Sequence, residues 1–237
     1  MKKKIKQFIK QLPFRFTKNQ RYDHFTKKII EQYCRPDSNC IDAGTHEGEI
    51  MDLFLKHAPN GKHFGFEPIP ELFTALKKKY AKHTNCSIFP YALSSRKEIA
   101  DFNYVLSNPA YSGLKKRKYD RNETDTKIKV QTERLDDVIP STTPISIIKI
   151  DVEGGELGLM EGATRILGTS KPIIIFESGM GGSDYYETTP EKLFEFLSRH
   201  SYSIYLLDSF LSKKPSLSEK EFCDQFYQMK NYYFVAA

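Results

Sequence analysis

The chain has 237 residues, of which 39% are hydrophobic and 28% charged, and its formal net charge is +6. A chain of this length and composition can bury one large core, so we expect a single soluble α/β domain with additions. No run approaches the roughly 20 apolar residues that a membrane span needs. The four cysteines are far apart and form no C-x-x-C pair, which indicates neither a zinc site nor a disulfide framework and suits the reducing cytoplasm.

The positive charge is concentrated at the N-terminus. Residues 1–35 hold eleven Lys and Arg against two acidic residues, a charge of +9, so residues 36–237 carry −3. We interpret residues 1–35 as a basic helical arm and residues 36–237 as the domain that carries the function. Because the domain itself is mildly acidic, nucleic acid is not an expected partner.

The first twelve residues place apolar side chains at helical spacing among lysines. Lys6 and Lys10 interrupt the apolar stretch, so it does not predict a signal peptide. Two interpretations stay open: a surface helix that contacts anionic lipid or an acidic partner, or a helix packed on its own domain. The expected location is the cytoplasm, with a peripheral membrane contact under the first interpretation. A second helical stripe runs from Asp23 to Cys34 and ends before Pro36.

The body of the chain alternates predicted strands and helices. Its first half gives a strand at about 39–43, a helix at about 47–57, an extended run at about 63–67, a helix after Pro68 and a strand at about 86–93. Its second half gives a strand at about 145–151, a helix at about 156–167, a strand at about 172–177, a helix from Pro190 and strands at about 202–207 and 232–236. Such alternation predicts parallel strands with helices on both faces of the sheet.

An insertion at about residues 100–135 interrupts this alternation. Two short stretches of alternating apolar residues enclose the polar segment Ser107–Asp125, which carries the basic cluster Lys115–Lys118. We interpret the insertion as a substrate-facing flap or a surface hairpin. The basic cluster is either a solvated loop or an anion-binding patch.

The segment Cys40–Gly48 reads C-I-D-A-G-T-H-E-G, in which Asp42 ends an apolar run and Gly44 and Gly48 follow. A strand that turns sharply into a helix presents backbone N–H groups to a ligand, and glycine allows the tight turn. The spacing differs from the G-x-G-x-x-G pattern of dinucleotide-binding proteins. It favours an adenosine ligand without a pyrophosphate, and S-adenosylmethionine is the commonest of these.

Polar side chains follow the predicted strands where each strand ends. Since ligands bind at the carboxyl ends of the strands in an open α/β sheet, we expect these side chains to share one edge. Glu67 can accept hydrogen bonds from both hydroxyls of a ribose, or it can cap the helix that begins after Pro68. The residues at these strand ends are Asp42, Glu67, Ser94, Asp151 and Glu177.

The segment Lys149–Glu156 reads K-I-D-V-E-G-G-E and places one cation and three carboxylates around a glycine turn. Charges beside a buried strand are costly unless they pair with each other or face a wet cavity. A functional site is therefore favoured over a lysine–acid pair with Glu156 in the first turn of a helix. Clustered carboxylate oxygens also suit Mg²⁺, although nothing in the spacing requires a metal.

Several segments together resemble the FkbM-type S-adenosylmethionine-dependent methyltransferases. They are D-A-G-T-H-E-G, F-G-F-E-P-I-P-E-L-F, Y-A-L-S, R-L-D-D-V-I, I-I-K-I-D-V-E-G-G-E, P-I-I-I-F-E-S and N-Y-Y-F-V, and they run from about residue 38 to the C-terminus. The resemblance implies a Rossmann-like class I methyltransferase fold, with a seven-stranded, mostly parallel sheet whose last strand is antiparallel. It also implies O-methylation of a hydroxyl on a sugar, a glycan or a glycosylated small molecule.

The resemblance also implies roles for individual positions. Asp151 and Glu153 face the methyl-transfer site as candidate catalytic bases, and His46, where the family has asparagine, is a third candidate. Ser112 matches a serine-rich segment of the family. Glu177 lies at a strand end, and Tyr185 and Tyr186 in the following loop can stack on a sugar ring, so these residues are candidates for substrate binding. The expected cofactor-binding residues are Asp42, Gly44, Thr45, His46, Gly48, Glu67, Pro68, Tyr91, Ala92 and Leu93.

Other functions stay open at this point. A nicotinamide oxidoreductase is disfavoured because the chain lacks G-x-G-x-x-G at the turn. A non-catalytic or nucleotide-sugar-binding module of the same fold, docked to a membrane or an acidic partner through the basic arm, is the alternative to a methyltransferase. The sequence leaves the identity of the methylated hydroxyl and the oligomeric state open.

Overall fold

The computed structural model describes residues 17–119 and 121–237. Its strands are β1 (Cys40–Ala43), β2 (His63–Phe66), β3 (Cys86–Phe89), β4 (Tyr91–Leu93), β5 (Glu98–Val105), β6 (Asp125–Glu133), β7 (Ile147–Ile150), β8 (Ile173–Glu177), β9 (Ile204–Leu206) and β10 (Tyr233–Ala236). Its α-helices are α1 (Lys18–Tyr33), α2 (Glu49–His57), α3 (Pro70–Lys79), α4 (Leu135–Val138), α5 (Glu156–Glu161), α6 (Thr164–Thr169), α7 (Pro190–Arg199), α8 (Leu207–Leu211) and α9 (Glu219–Tyr227).

Seven strands form the central sheet in the order β3-β2-β1-β7-β8-β10-β9. The pairs from β3 to β8 are parallel, and β10 runs antiparallel to both β8 and β9. The strand order reverses between β1 and β7, which is where ligands bind in open α/β sheets. Ala43 pairs with both Phe66 and Ile150, so the next residues of three strands meet at one edge. The predicted sheet, with its antiparallel last strand, is confirmed.

The central strands are buried on both faces, as expected for parallel strands covered by helices. Every residue of β1 and β7 is buried. Ile147 packs with Ile29 and Phe54 on one face, and Ile148 packs with Leu193 on the other. Successive side chains of a strand point to opposite faces, so one apolar run supplies both layers. Burial of each such side chain contributes roughly 1.5–3 kcal/mol to folding.

A second sheet of three strands, in the order β4-β6-β5, lies in the insertion region. The single strand expected at about 86–93 is wrong, because the chain leaves the central sheet at Pro90 and β4 pairs with β6 instead. Proline has a fixed φ and no N–H to donate, so it breaks the run of sheet hydrogen bonds. Beyond β5, Pro109–Tyr111 forms a short 3₁₀ helix, and Gly113 returns to pair with Asn103.

The helix expected at about 156–167 is also interrupted. It forms two helices, α5 and α6, with Gly162 and Ala163 between them. A Cβ atom on Gly162 would lie 2.2 Å from the carbonyl oxygen of Ser94, so the chain passes this strand end too closely for a side chain. The carboxylate of Asp136 then accepts the N–H groups of Arg165 (2.7 Å) and Ile166 (3.1 Å). These bonds satisfy free donors in the first turn of α6.

Helix α1 packs against the same core as the sheet. A capping box joins Thr17 and Gln20 at its start, and Ile29 and Ile30 are buried. The Tyr22 hydroxyl donates to Asn231 Oδ1 at 2.9 Å, which ties the helix to the segment before β10. The apolar stripe and basic charges predicted for residues 1–12 lie outside the described residues. In the part of the chain that the structure describes, no helix combines the length and apolarity needed to cross a membrane.

Candidate active site

A cavity of about 480 Å³ opens at the carboxyl ends of β1, β2 and β7. It brings together most of the residues that the sequence singled out, although they come from five separate segments of the chain. The three parallel strands end at the same edge, and the second sheet closes the cavity from one side. The predicted residues that line it are Asp42, Gly44, Thr45, His46, Glu67, Pro68, Tyr91, Ala92, Leu93, Ser112, Asp151 and Glu153.

Gly44 forms the turn after β1 in a conformation that few other residues adopt. Its φ is +82°, and a Cβ atom there would lie 1.9 Å from the carbonyl oxygen of Asp151. The N–H groups of Gly44 and Thr45 both donate to the Phe66 carbonyl at 3.0 Å. Gly48 has a different position from the one expected, since it lies outside the cavity lining and its carbonyl accepts the Tyr80 hydroxyl at 2.8 Å. Gly48 thus lies at the start of α2, where that helix contacts the end of α3.

Glu67 is a buried carboxylate held by the backbone. Its Oε2 accepts the N–H of His46 and its Oε1 accepts the N–H of Ile69, both at 2.9 Å. Burial raises the pKa of Glu67 to about 7. Each oxygen keeps a further lone pair, so the group can accept two hydroxyls. His46, at φ 48°, thus contributes through its N–H group, a role that its ring chemistry did not suggest.

Asp42 is a second buried carboxylate in the cavity wall. It is 2% exposed, and its Oδ2 has no hydrogen-bond partner among the described residues. Burial raises the pKa of Asp42 to about 8. An unpaired buried oxygen costs free energy until a donor or a cation reaches it. This position is therefore suited to the positively charged part of a ligand.

Asp151 is held by a network at the end of β7. Its Oδ2 lies 3.2 Å from Lys149 Nζ and accepts the hydroxyl of Tyr233, and Lys149 Nζ is itself 3.0 Å from that hydroxyl. Burial alone would raise the pKa of Asp151, but Lys149 and the Tyr233 hydrogen bond outweigh it, so the pKa is lowered. Burial, and then repulsion from Asp151, raise the pKa of the neighbouring Glu177 well above its usual value. Of the two carboxyls, Asp151 is therefore the one that is better stabilised as an anion.

Glu153 differs from Asp151 in its surroundings. Burial raises the pKa of Glu153 to about 8, with the charge of Asp151 adding to the rise and Arg117 opposing it. Its backbone has φ 58°, an uncommon conformation for a residue other than glycine. Arg117 Nη2 forms an ion pair with Glu153 Oε2. Glu156 stabilises the same turn, because its Oε1 accepts the N–H of Gly154 at 2.9 Å.

Three residues expected to bind substrate do not line the cavity: Glu177, Tyr185 and Tyr186. The hydroxyl of Tyr185 accepts the N–H of Lys118 at 2.9 Å, and that of Tyr186 accepts the N–H of Lys115 at 3.0 Å. Both rings therefore fasten the insertion to the loop after β8. Ser112 does line the cavity, with its hydroxyl accepting the N–H of Val105 at 3.0 Å.

The cavity also has walls that the sequence did not suggest. One side is formed by Asp23, Thr26 and Lys27 of α1, and another by Pro109 and Ala110 of the 3₁₀ helix. Their spacing fits an ordinary amphipathic helix and a polar loop, so no local signal marks them. The packing of α1 beside β10 brings the first set to the site, and the return of the insertion at Gly113 to pair with Asn103 brings the second.

No group of three or more His, Cys, Asp or Glu side chains within residues 17–119 and 121–237 is arranged to hold a metal ion. The basic cluster of the insertion is partly paired, since Lys116 Nζ lies 2.8 Å from Asp125 Oδ2 and Arg117 is turned inward to Glu153. Two of its four cations are therefore already engaged.

The residues present fit the S-adenosylmethionine that the resemblance implies. Asp42 would face its cationic amino acid end, and the two oxygens of Glu67 would accept the ribose hydroxyls. Tyr91, whose ring stacks on Phe89 with centroids 6.0 Å apart, would contact the adenine together with Ala92 and Leu93. The orphaned Asp42 oxygen supports this fit best, because a cation beside it removes the cost of its burial.

Comparisons with known proteins agree with this geometry. The family model described as the methyltransferase FkbM domain matches residues 42–204, which is more than half of the chain. No curated protein sequence matches. The crystal structure of methyltransferase FkbM from Methylobacillus flagellatus KT is similar, with 15% identity and a TM-score of 0.54, over 86% of this chain and 44% of that one. The chain thus spans less than half the length of that protein.

A second similar structure is SMU.1697c from Streptococcus mutans, solved in complex with SAH. It shows 11% identity and a TM-score of 0.49, over 90% of this chain and 94% of that one. The match over residues 42–204 leads to one assignment, with which the Rossmann-like sheet and its cavity at the strand ends agree: the chain belongs to the FkbM methyltransferase family.

Proposed function

We propose that this enzyme transfers the methyl group of S-adenosylmethionine to a hydroxyl of a sugar, a glycan or a glycosylated small molecule. The observation that supports a hydroxyl acceptor is the pair Asp151 and Glu153, two carboxylates on the cavity wall with opposite pKa shifts. A sugar hydroxyl is a weak nucleophile and benefits from a base that removes its proton. Carboxylates also form the hydrogen bonds by which sugar hydroxyls are recognised.

Glu153 is the better base of the two. A general base works best when its pKa lies near the working pH, and burial raises the pKa of Glu153 to about 8. Asp151 is stabilised as an anion by Lys149 and Tyr233, so it takes up a proton less readily. We assign proton removal to Glu153 and orientation of the acceptor to Asp151.

When bound, S-adenosylmethionine supplies a methyl group on a positively charged sulfur. Its sulfur would keep the electron pair of the carbon–sulfur bond, so the methyl group would leave as an electrophile. Glu153 would take up the proton that the acceptor hydroxyl loses. Asp42, Glu67 and the turn at Gly44 fix the donor, so alignment with the acceptor supplies much of the rate. This set of residues forms what we call the cofactor half of the cavity.

The acceptor enters on the opposite side, which we call the acceptor half. It consists of Asp151 and Glu153 together with the α1 residues Thr26 and Lys27 and the 3₁₀ residue Pro109. Thr26 is buried and lines the cavity, and we place its hydroxyl among the groups that would contact a polar acceptor. The few polar groups in this wall, two carboxylates, an ammonium and a hydroxyl, are of the kind that binds a hydroxylated acceptor.

The test uses S-adenosylmethionine labelled in its methyl group, incubated with the enzyme and host extracts separated into glycan, small-glycoside, protein and nucleic acid fractions. We expect label in a carbohydrate-containing fraction as an alkali-stable methyl ether. Label confined to protein or nucleic acid would overturn the proposal. The variant Asp42→Asn serves as the control for transfer that depends on the cofactor half.

A further inference from the structure

Three segments meet beside the acceptor half: the insertion around Lys115–Lys118, the turn after β7 and the loop after β8. Their contact is close, because a Cβ atom on Gly154 would lie 2.5 Å from the carbonyl oxygen of Gly182. A Cβ atom on Gly113 would lie 3.2 Å from the Tyr186 hydroxyl and 3.4 Å from Glu153 Cβ. The insertion is therefore seated directly on the turn that carries Glu153.

Arg117 lies at the centre of this junction. Its side chain is 11% exposed, its Nη2 pairs with Glu153 and its Nη1 donates to the Gly181 carbonyl at 3.1 Å. The N–H groups of Lys115 and Lys118 are held by the hydroxyls of Tyr186 and Tyr185. The backbone is thus fixed on both sides of Arg117. Arg117 itself does not line the cavity, whereas Glu153 does, so it reaches the reaction only through Glu153.

We propose that Arg117 is a positioning residue for methyl transfer: its ion pair orients the Glu153 carboxylate and favours the ionised form while the insertion contacts the loop after β8. The proposal rests on the proposed function, in which Glu153 accepts the proton of the acceptor. A carboxylate that has already taken up a proton cannot accept another. The contact between the insertion and this turn therefore favours the form of Glu153 that can act as a base.

The charges around Glu153 explain why it needs this partner. Three other carboxylates surround it, and Arg117 is the one cation within ion-pair distance of it among the described residues, since Lys149 pairs with Asp151. Burial and repulsion by Asp151 both raise the pKa of Glu153, and Arg117 opposes them. The titratable groups that face Glu153 are Asp151 after β7, Glu156 of α5, Glu177 of β8, Tyr186 of the following loop and Tyr233 of β10.

The direction of the effect follows from the sign of these charges. The base works when ionised, so the transfer rate rises with pH through the pKa of Glu153. Removing a cation next to a carboxylate raises that pKa by about 1–3 units. An uncharged residue at position 117 therefore moves the rising limb of the rate profile to higher pH by about one unit or more. At neutral pH the rate falls about tenfold, and it recovers at high pH.

The decisive experiment titrates Glu153 directly in the full chain without added cofactor. Protein labelled with ¹³C at the glutamate carboxyls is followed by NMR over pH, and the Glu153 signal is assigned by its loss in Glu153→Gln. We expect Arg117→Gln and Arg117→Met to raise the pKa by about one unit or more, and Arg117→Lys to restore most of the native value. Lys118→Gln is the matched control, because its side chain is exposed and its N–H contact is kept.

The second readout is the pH dependence of label transfer to the extract fraction that accepts it. An unchanged Glu153 titration in folded Arg117→Gln and Arg117→Met, or an equal shift in Lys118→Gln, would overturn the role of Arg117. If Glu153→Gln transfers label at the native rate, the proposed base is wrong while the titration still reports on Arg117. The two failures are thus distinguishable, and thermal unfolding of each variant shows that it is folded.

Discussion

The two halves of the cavity hold their carboxylates by different means. In the cofactor half, the oxygens of Glu67 accept backbone N–H groups from His46 and Ile69, which lie within 21 residues of it along the chain. In the acceptor half, Asp151 and Glu153 are held by side chains from β10 and from the insertion. Backbone donors survive most substitutions, whereas side-chain partners do not. The cofactor half should therefore tolerate substitution of neighbouring residues better than the acceptor half. The acceptor half changes when the side chains that hold Asp151 and Glu153 are substituted.

The largest expected effect separates binding from chemistry. Glu153→Gln keeps the size of the side chain but removes the base, so we expect the transfer rate to fall about 100-fold or more with little change in cofactor affinity. Glu67→Gln is the opposite case, with affinity reduced about tenfold, because an amide oxygen cannot replace both carboxylate oxygens. Calorimetric titration and single-turnover transfer measure the two quantities. If neither Glu153→Gln nor Asp151→Asn slows transfer more than tenfold, the assignment of the base is wrong.

The next effect tests whether the cofactor half depends on its backbone. Gly44→Ala places a methyl group against the Asp151 carbonyl and forces an unfavourable φ, so we expect a loss of about 3 kcal/mol in the free energy of unfolding. Urea unfolding measures it. Gly168→Ala is the matched control: that glycine lies in α6 with open space around it, and alanine there should be neutral or slightly stabilising. Equal effects of the two substitutions would contradict the packing described.

A smaller effect concerns pH. The folded-state pKa of Glu67 is about 7, above its unfolded value, so the native protein binds more protons between about pH 4.5 and 7. The stability that this group gives is present below pH 4.5 and is lost as the pH rises through 7. We expect Glu67→Gln to remove about 1–3 kcal/mol of the stability difference between pH 5 and pH 8 in cofactor-free protein. Urea unfolding at both pH values measures this, with exposed Glu98→Gln as the control that should change nothing.

The smallest effect belongs to α1. Thr26→Val keeps the shape of the side chain and removes one hydroxyl from the wall of the acceptor half, so we expect the KM of the acceptor to rise about threefold, as for one weak hydrogen bond. The cofactor Kd should stay the same. Lys28→Met on the same helix, outside the lining, serves as the comparison. An equal rise in both variants would mean that α1 does not contact the acceptor.

The contrast between the two halves also explains what the sequence could predict. Asp42, Gly44 and Glu67 lie at or just after the ends of short apolar runs. The same local pattern therefore predicts both the strands of the sheet and the residues of the cofactor half. The contact between Arg117 and Glu153, the place of Thr26 in the wall and the outward turn of Tyr185 depend on how distant segments pack. Such contacts leave no local pattern, because the same residues fit an ordinary polar loop or amphipathic helix.

One strand prediction and one helix prediction failed for similar reasons. Pro90 separates β3 from β4, yet the apolar residues on both sides read as one run, and only pairing with β6 assigns β4 to the second sheet. Gly162 divides α5 from α6 because Ser94 lies against it. Proline and glycine were visible in the sequence, but their neighbours in space were not.

The position of β10 has a consequence for how the chain acquires activity during synthesis. β10 lies between β8 and β9, and β9 pairs with no other strand in the described chain. On the ribosome, β9 therefore emerges before its partner strand, because residues 207–232 separate the two strands. Because Tyr233 of β10 donates to Asp151, the hydrogen bonding of Asp151 in the acceptor half is completed at the same late step. In a nascent chain the turn at Gly44 can form early. The site for methyl transfer is complete only after β10 has paired with β8 and β9.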